Sequence, residues 1–241
     1  MEKKYEEKEI ESWENHYLKQ IEFILKQDLD KMLEGLKSKD KIKGDWFSVF
    51  NSSNKKRQNS DFARGAERIY YWLFNQFGIP NSSPIGSDMF FETYNAFIHI
   101  DIKTAKFNNY SDYYGKLPIG ANQTSYKYDG YDYTVNLPPI YKYENKLCLT
   151  YFINIVYDIT YDNIVIKSII VLCVPNGLLT GIYKNDIINA GKSGNSGNGF
   201  RYKFSNRNKF ELLDEKPSRI IIIYLSEDLI DKKDTFCGIE S

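Results

Sequence analysis

Four side chains in the first half of the chain have the types and spacing for hydrolysis of a charged substrate. The run "FIHIDIKTAK", residues 97–106, is apolar and β-type except for Asp101 and Lys103, two positions apart. Side chains alternate across a strand, so Phe97, His99, Asp101 and Lys103 share one face, and Ile98, Ile100 and Ile102 the other. The isoleucines account for a core and leave the charged pair unexplained. Asp88 follows a Gly-Ser turn upstream, and if the runs on either side of "ETYNA" pair as a hairpin, both carboxylates converge at one end of the sheet. Such a pair suits a hard cation such as Mg²⁺, which takes one or two carboxylates, waters and phosphate oxygens. Lys103 then stands where it can orient or deprotonate an attacking water. Glu67 is the fourth group. In "FARGAERIYYWLFNQF" it shares a helical stripe with Ala63, Tyr70 and Phe74, so it points inward, where a carboxylate needs a partner or a cation.

The elements that must hold these groups are legible as patterns. Residues 5–36 carry Ile10, Trp13, Tyr17, Ile21, Ile24, Leu25, Met32, Leu33 and Leu36 at an approximate helical repeat, which predicts one long amphipathic helix or two in series. The polar stretch 51–61 ends that pattern and offers Ser60 or Asp61 as the N-cap of the helix bearing Glu67. Residues 107–145 read as loop, with a short hairpin around "YKYDGYDYTV". Strands return at 147–158 and 163–175, the second so apolar that it reads as central in a sheet, and "SRIIIIYLS" is the last strand. Residues 176–191 read as helix and 191–199 as a flexible loop. The fold class expected is α/β, a central mixed sheet flanked by helices, in one domain over 1–241, with an N-terminal helical region at 1–50 and a core at 61–225.

Thirty-two basic and thirty-two acidic residues cancel, so any surface that holds a polyanion must arise from local segregation of charge. Three widely spaced cysteines, two of them in apolar runs, suit buried thiols in a reducing compartment. The charged N-terminal stretch lacks the apolar core of a signal peptide, and no segment approaches 18 uninterrupted apolar residues, so a cytoplasmic protein without membrane contact is expected.

Asp88 after "GS", "DIK" at 101–103 and the upstream helical Glu67 together resemble the signature of PD-(D/E)xK nucleases, and among these the chain looks most like a type II restriction endonuclease. Ser87 stands where the signature has its nominal proline. The motif alone is weak, since Glu144/Lys146 and Asp214/Lys216 have the same spacing; only Asp101/Lys103 lies in an apolar β run with an acid after a turn upstream. The resemblance implies a restriction-endonuclease-like core and Mg²⁺-dependent hydrolysis of double-stranded DNA, leaving 5′-phosphate and 3′-hydroxyl ends. It implies that Asp88, Asp101 and the Ile102 carbonyl bind metal, that Lys103 acts on the water, and that Glu67 holds a second metal or a metal-bound water. It further implies a homodimer on a palindromic site, since two-fold protein symmetry matches two-fold DNA symmetry.

DNA contacts are expected at three places. Lys106 can reach a neighbouring phosphate. Asn122, Gln123, Thr124 and Ser125 stand together in a loop after the Asp101 strand, and Asn and Gln amides match the adenine edge. Lys192, Arg201, Lys203, Arg207 and Lys209 interleave with aromatics without an intervening acid, a local basic surface for phosphates. "GKS" at 191–193 is no P-loop, since Asp186 occupies the glycine position and a helix pattern precedes it. The alternatives are a PD-(D/E)xK nuclease for repair or branched DNA, and a non-catalytic DNA-binding protein of the same fold.

Overall fold

The computed structural model describes residues 5–37, 88–115, 138–141, 144–160, 163–177 and 208–232, the backbone of 126–128 and 131–133, and helical positions 62–63, 65–67, 69–70 and 74. The N-terminal repeat forms two helices in series, α1 (Glu7–Gln27) and α2 (Leu29–Lys37), broken at Asp28. Among the described residues the strands are β1 (Met89–Glu92), β2 (Ala96–Lys106), β3 (Tyr126–Tyr128), β4 (Tyr131–Tyr133), β5 (Leu147–Thr160), β6 (Asn163–Val174) and β7 (Ile220–Leu225). Five of them make one mixed sheet in the order β1-β2-β5-β6-β7, while β3 and β4 form the expected separate hairpin. β6 is interior, but β5 holds the middle: it pairs parallel with β2 and antiparallel with β6. Apolar content could not separate the two, because both strands are covered on both faces.

β1 and β2 form the anticipated hairpin, with Met89 opposite Ile100. Its turn is closed by side chains. Thr93 Oγ1 accepts the Ala96 N–H at 3.0 Å, and Asn95 Oδ1 accepts the Tyr17 hydroxyl of α1 at 2.6 Å. The hairpin is thereby tied to the first helix.

The two faces of the sheet differ in chemistry. Ile98, Ile100 and Ile102 of β2, Leu149, Tyr151, Ile153 and Ile155 of β5, and Ile169 and Val171 of β6 form one continuous core with α1, α2 and the helical positions Phe62, Ala66, Tyr70 and Phe74. Each such aliphatic side chain taken from water contributes about 1.5–3 kcal/mol, which is what holds the helices against this face. A smaller cluster, Phe90, Phe97, Tyr141 and Cys148, lies on the other face. Glu144 and Asn145 make the turn before β5 in the left-handed region, at φ 55° and 52°, and Ile140 bridges Leu147. That turn brings Tyr141 onto His99, whose Nε2 bonds the tyrosine hydroxyl. His99 is thus a packed core residue. Cys148 and Cys173 are buried free thiols, and burial pushes Cys148 up to about 12. Among the described residues no helix is long and apolar enough to cross a membrane.

Candidate active site

Strand alternation puts Asp101 and Lys103 on the less aliphatic face of β2, as their positions in "FIHIDIKTAK" imply. The parallel register with β5 places Phe152 beside Asp101 and Asn154 beside Lys103. Asp101 is 1% exposed. Lys103 forms an ion pair with Asp101 Oδ2 and lies over the Phe152 ring at 5.8 Å. Beyond this ion pair the buried Oδ2 has no further hydrogen-bond partner, so it retains acceptor capacity.

Asp88 sits at the start of β1. Although the residue is exposed, its carboxylate turns inward, and Oδ2 accepts the Ile102 N–H at 2.7 Å. This one bond tethers the upstream acid to the strand segment between Asp101 and Lys103. It is the convergence that the hairpin pattern predicted.

The electrostatics follow from this crowding. Burial raises Asp101 to about 7; Lys103 opposes the rise, while the Asp88 and Glu67 carboxylates add to it. Desolvation also raises Asp88, against the pull of the Ile102 N–H and the Lys103 charge. Glu67 is half-buried on the helical segment and is near enough to act on Asp101. Among the described residues, however, no group of three or more His, Cys, Asp or Glu side chains stands close enough together to hold a metal ion. The oxygens of Asp88 and Asp101 remain a suitable donor pair, since Mg²⁺ needs only one or two carboxylates when waters and phosphate fill the rest. The Oδ2 of Asp101, held in the resting arrangement only by the Lys103 ion pair, fits that requirement.

Of the expected DNA contacts, Lys106 is half-buried at the end of β2, in register with Tyr157, and Lys209 is exposed opposite Ser218. Asn122, Gln123, Thr124, Ser125, Lys192, Arg201, Lys203 and Arg207 lie outside the described residues. So do the 176–191 helix beyond Gly177, the 191–199 loop, Cys237 and the Ser60/Asp61 cap.

Two features escaped the sequence reading. Asn154 joins the face that holds Asp101; an amide inside "LCLTYFINIVYD" was visible, but the strand beside β2 was not. The second is a buried cluster in which Arg219 Nη1 bonds Glu14 Oε2 at 2.8 Å and Nη2 bonds Glu11 Oε1 at 3.2 Å. It pins α1 to the start of β7. Its members are some 200 positions apart, and nothing local announces their pairing.

Residues 6–163 match the family model described as type II restriction enzyme MwoI, N-terminal domain, and residues 166–225 match the MwoI central domain. No curated protein matches the chain. Among solved structures, the tetrameric restriction endonuclease SfiI bound to cognate DNA is 13% identical, with a TM-score of 0.50 over 75% of this chain and 70% of that one. The restriction endonuclease BglI bound to its DNA recognition sequence is 14% identical over 93% of this chain and 88% of that one, with a TM-score of 0.49. The α/β fold, a mixed five-stranded sheet with a long N-terminal helix, is restriction-endonuclease-like. With its two matched stretches together spanning most of its length, the chain belongs to the family of the type II restriction enzyme MwoI.

Proposed function

We propose that the protein is a Mg²⁺-dependent endonuclease that hydrolyses both strands of a palindromic double-stranded DNA site as a homodimer, leaving 5′-phosphate ends, in the cytoplasm. The observation that carries the reading is the buried Asp101 carboxylate, ion-paired with Lys103, with Asp88 held beside it by the N–H of the next residue, Ile102. A family of DNA-cutting enzymes supplies the reaction; this geometry supplies the groups for it.

In this reading Asp88, Asp101 and the Ile102 carbonyl hold the cation, and Glu67 supports it from the helical segment. The bound Mg²⁺ supplies Lewis acidity toward the scissile phosphate. Lys103 orients the attacking water and meets the charge that develops on the phosphate oxygens. The Ile102 N–H keeps the Asp88 carboxylate aimed at the same point of the strand. We read the whole chain as one nuclease domain, which the pairing of β5 with β6 along nearly their whole length, through one irregularity at Val156/Tyr157, supports, because β5 lies in the first matched stretch and most of β6 in the second. Lys106, Lys192, Arg201, Lys203, Arg207 and Lys209 are proposed to take phosphates, and Asn122, Gln123, Thr124 and Ser125 to read bases.

The test is incubation of plasmid and linear DNA with the purified protein, with and without Mg²⁺. Discrete fragments that appear only with Mg²⁺ and carry ligatable 5′-phosphates are expected. Glu67→Gln should lower the rate by about tenfold, the range for a supporting group around a metal. Cleavage at every sequence alike would favour a repair or branched-DNA nuclease, and no cleavage with retained DNA binding would favour the non-catalytic alternative.

A further inference from the structure

Asn154 stands on β5 in register with Lys103, on the face that carries Asp101, and is 2% exposed. Neither its Nδ2 nor its Oδ1 has a hydrogen-bond partner, and among the described residues it is the one side chain whose two amide atoms are both unmet. Keeping an unpaired amide inside a sheet is costly, because it gives up water and gains no bond in return. An apolar side chain of similar outline would carry no such cost. The resting arrangement therefore gives no reason for asparagine at this position.

Lys103 gives one. Its ammonium is paired with Asp101 Oδ2, the same oxygen that the proposed function assigns to the cation. Once Asp101 and Asp88 are both engaged by the cation, the ammonium is left with its distant contact to the Phe152 ring, a weak hold for a flexible four-carbon stem. The unmet acceptor next to it in register is Asn154 Oδ1. We propose that Asn154 is the positioning residue for Lys103, its Oδ1 receiving the ammonium when Asp101 turns to other ligands. One ammonium hydrogen is then spent on the amide and two remain for water and phosphate. The assignment rests on the endonuclease reading above and adds to it the group that holds Lys103 while the site is loaded.

Two substitutions and one measurement without turnover test it. Asn154→Leu removes both polar atoms while keeping the branched heavy-atom outline; kcat should fall by about tenfold or more, as for other supporting groups, with KM little changed. Asn154→Asp keeps the acceptor oxygen and should restore most of the lost rate. Separately, Lys103 is acylated with an amine-reactive ester and quantified by peptide mass analysis, with and without Ca²⁺. In the parent, Ca²⁺ should change labelling little, because the amide takes over from Asp101; in Asn154→Leu it should raise labelling several-fold. Parent-like kcat in Asn154→Leu, an Asn154→Asp no faster than Asn154→Leu, or equal Ca²⁺-dependent labelling in both proteins overturns the assignment. A parent that cuts no DNA overturns the endonuclease reading itself, while the labelling contrast still reports whether Lys103 passes to Asn154.

Discussion

Two buried charge clusters lie on opposite faces of one sheet, and they are built on opposite plans. On the aliphatic face, Arg219 spends its donors on Glu14, Glu11 and the Lys209 carbonyl and rests 4.2 Å above the Phe210 ring. Glu11 in turn accepts the N–H groups of Glu211 and Leu212, at 3.0 and 2.7 Å. On the other face, Asp101 Oδ2 has only the Lys103 ion pair, and both amide atoms of Asn154 are unmet. Satisfied polar networks fix a fold; unsatisfied ones reserve bonding capacity at a cost in stability. The difference separates a clamp from a site without reference to either sequence motif.

The strongest way to break the comparison is Arg219→Met. It leaves two buried carboxylates without their cation, so urea denaturation should show a loss of about 3–5 kcal/mol, while the molecules still folded cleave at the parent rate. A loss well under 1 kcal/mol would show that the cluster does not hold α1 to β7.

Asp101→Ala and Asp88→Ala should do the reverse. Cleavage should fall by about 10²–10³-fold, the scale for removing preorganised transition-state stabilisation, with melting temperature unchanged or raised. If either mutant melts early but cuts normally once folded, its carboxylate belongs with the clamp.

A smaller effect sharpens the contrast through pH. Two carboxylates share one guanidinium at Arg219, and burial raises Glu14 from 4.5 to about 7, against the pull of Arg219. A carboxyl whose folded value is raised binds its proton more tightly when folded. Its contribution is complete below 4.5 and is lost as pH rises through about 7. His99, pushed down to about 3 by burial, gives the opposite slope below its ordinary 6.5. The informative quantity is therefore parent minus Glu14→Gln: the difference should change across pH 4.5–7 by up to about 1.4 kcal/mol per unit. Denaturation curves at four pH values measure it, and a flat difference would mean that Glu14 stays ionised throughout.

The smallest expected effect lies at the surface. Lys106→Gln and Lys209→Gln should each lower the slope of log K against log salt by about 0.9, if each takes one phosphate. Fluorescence anisotropy over a salt series checks this, and an unchanged slope in both would move the phosphate contacts to other residues.

The sequence by itself determined the local things. A period of two in "FIHIDIK" put Asp101 and Lys103 on one face and the isoleucines on the other, and the turn at "ETYNA" set the hairpin that carries Asp88. Both follow from short-range geometry: a pleat and a tight turn leave few options. The hairpin at 126–133 was legible for the same reason, whereas the N-terminal repeat allowed one helix or two and the break at Asp28 came from the structure. What only the tertiary structure decided was which strand lies beside which. β5 rather than β6 occupies the centre, Asn154 lies in register with Lys103, and Arg219 finds Glu11 and Glu14 across some 200 residues. Apolar strands buried on both faces carry the same pattern whoever their neighbours are, so their order is set by how the helices cover the sheet and by where buried charges find partners, and neither is written in any local stretch.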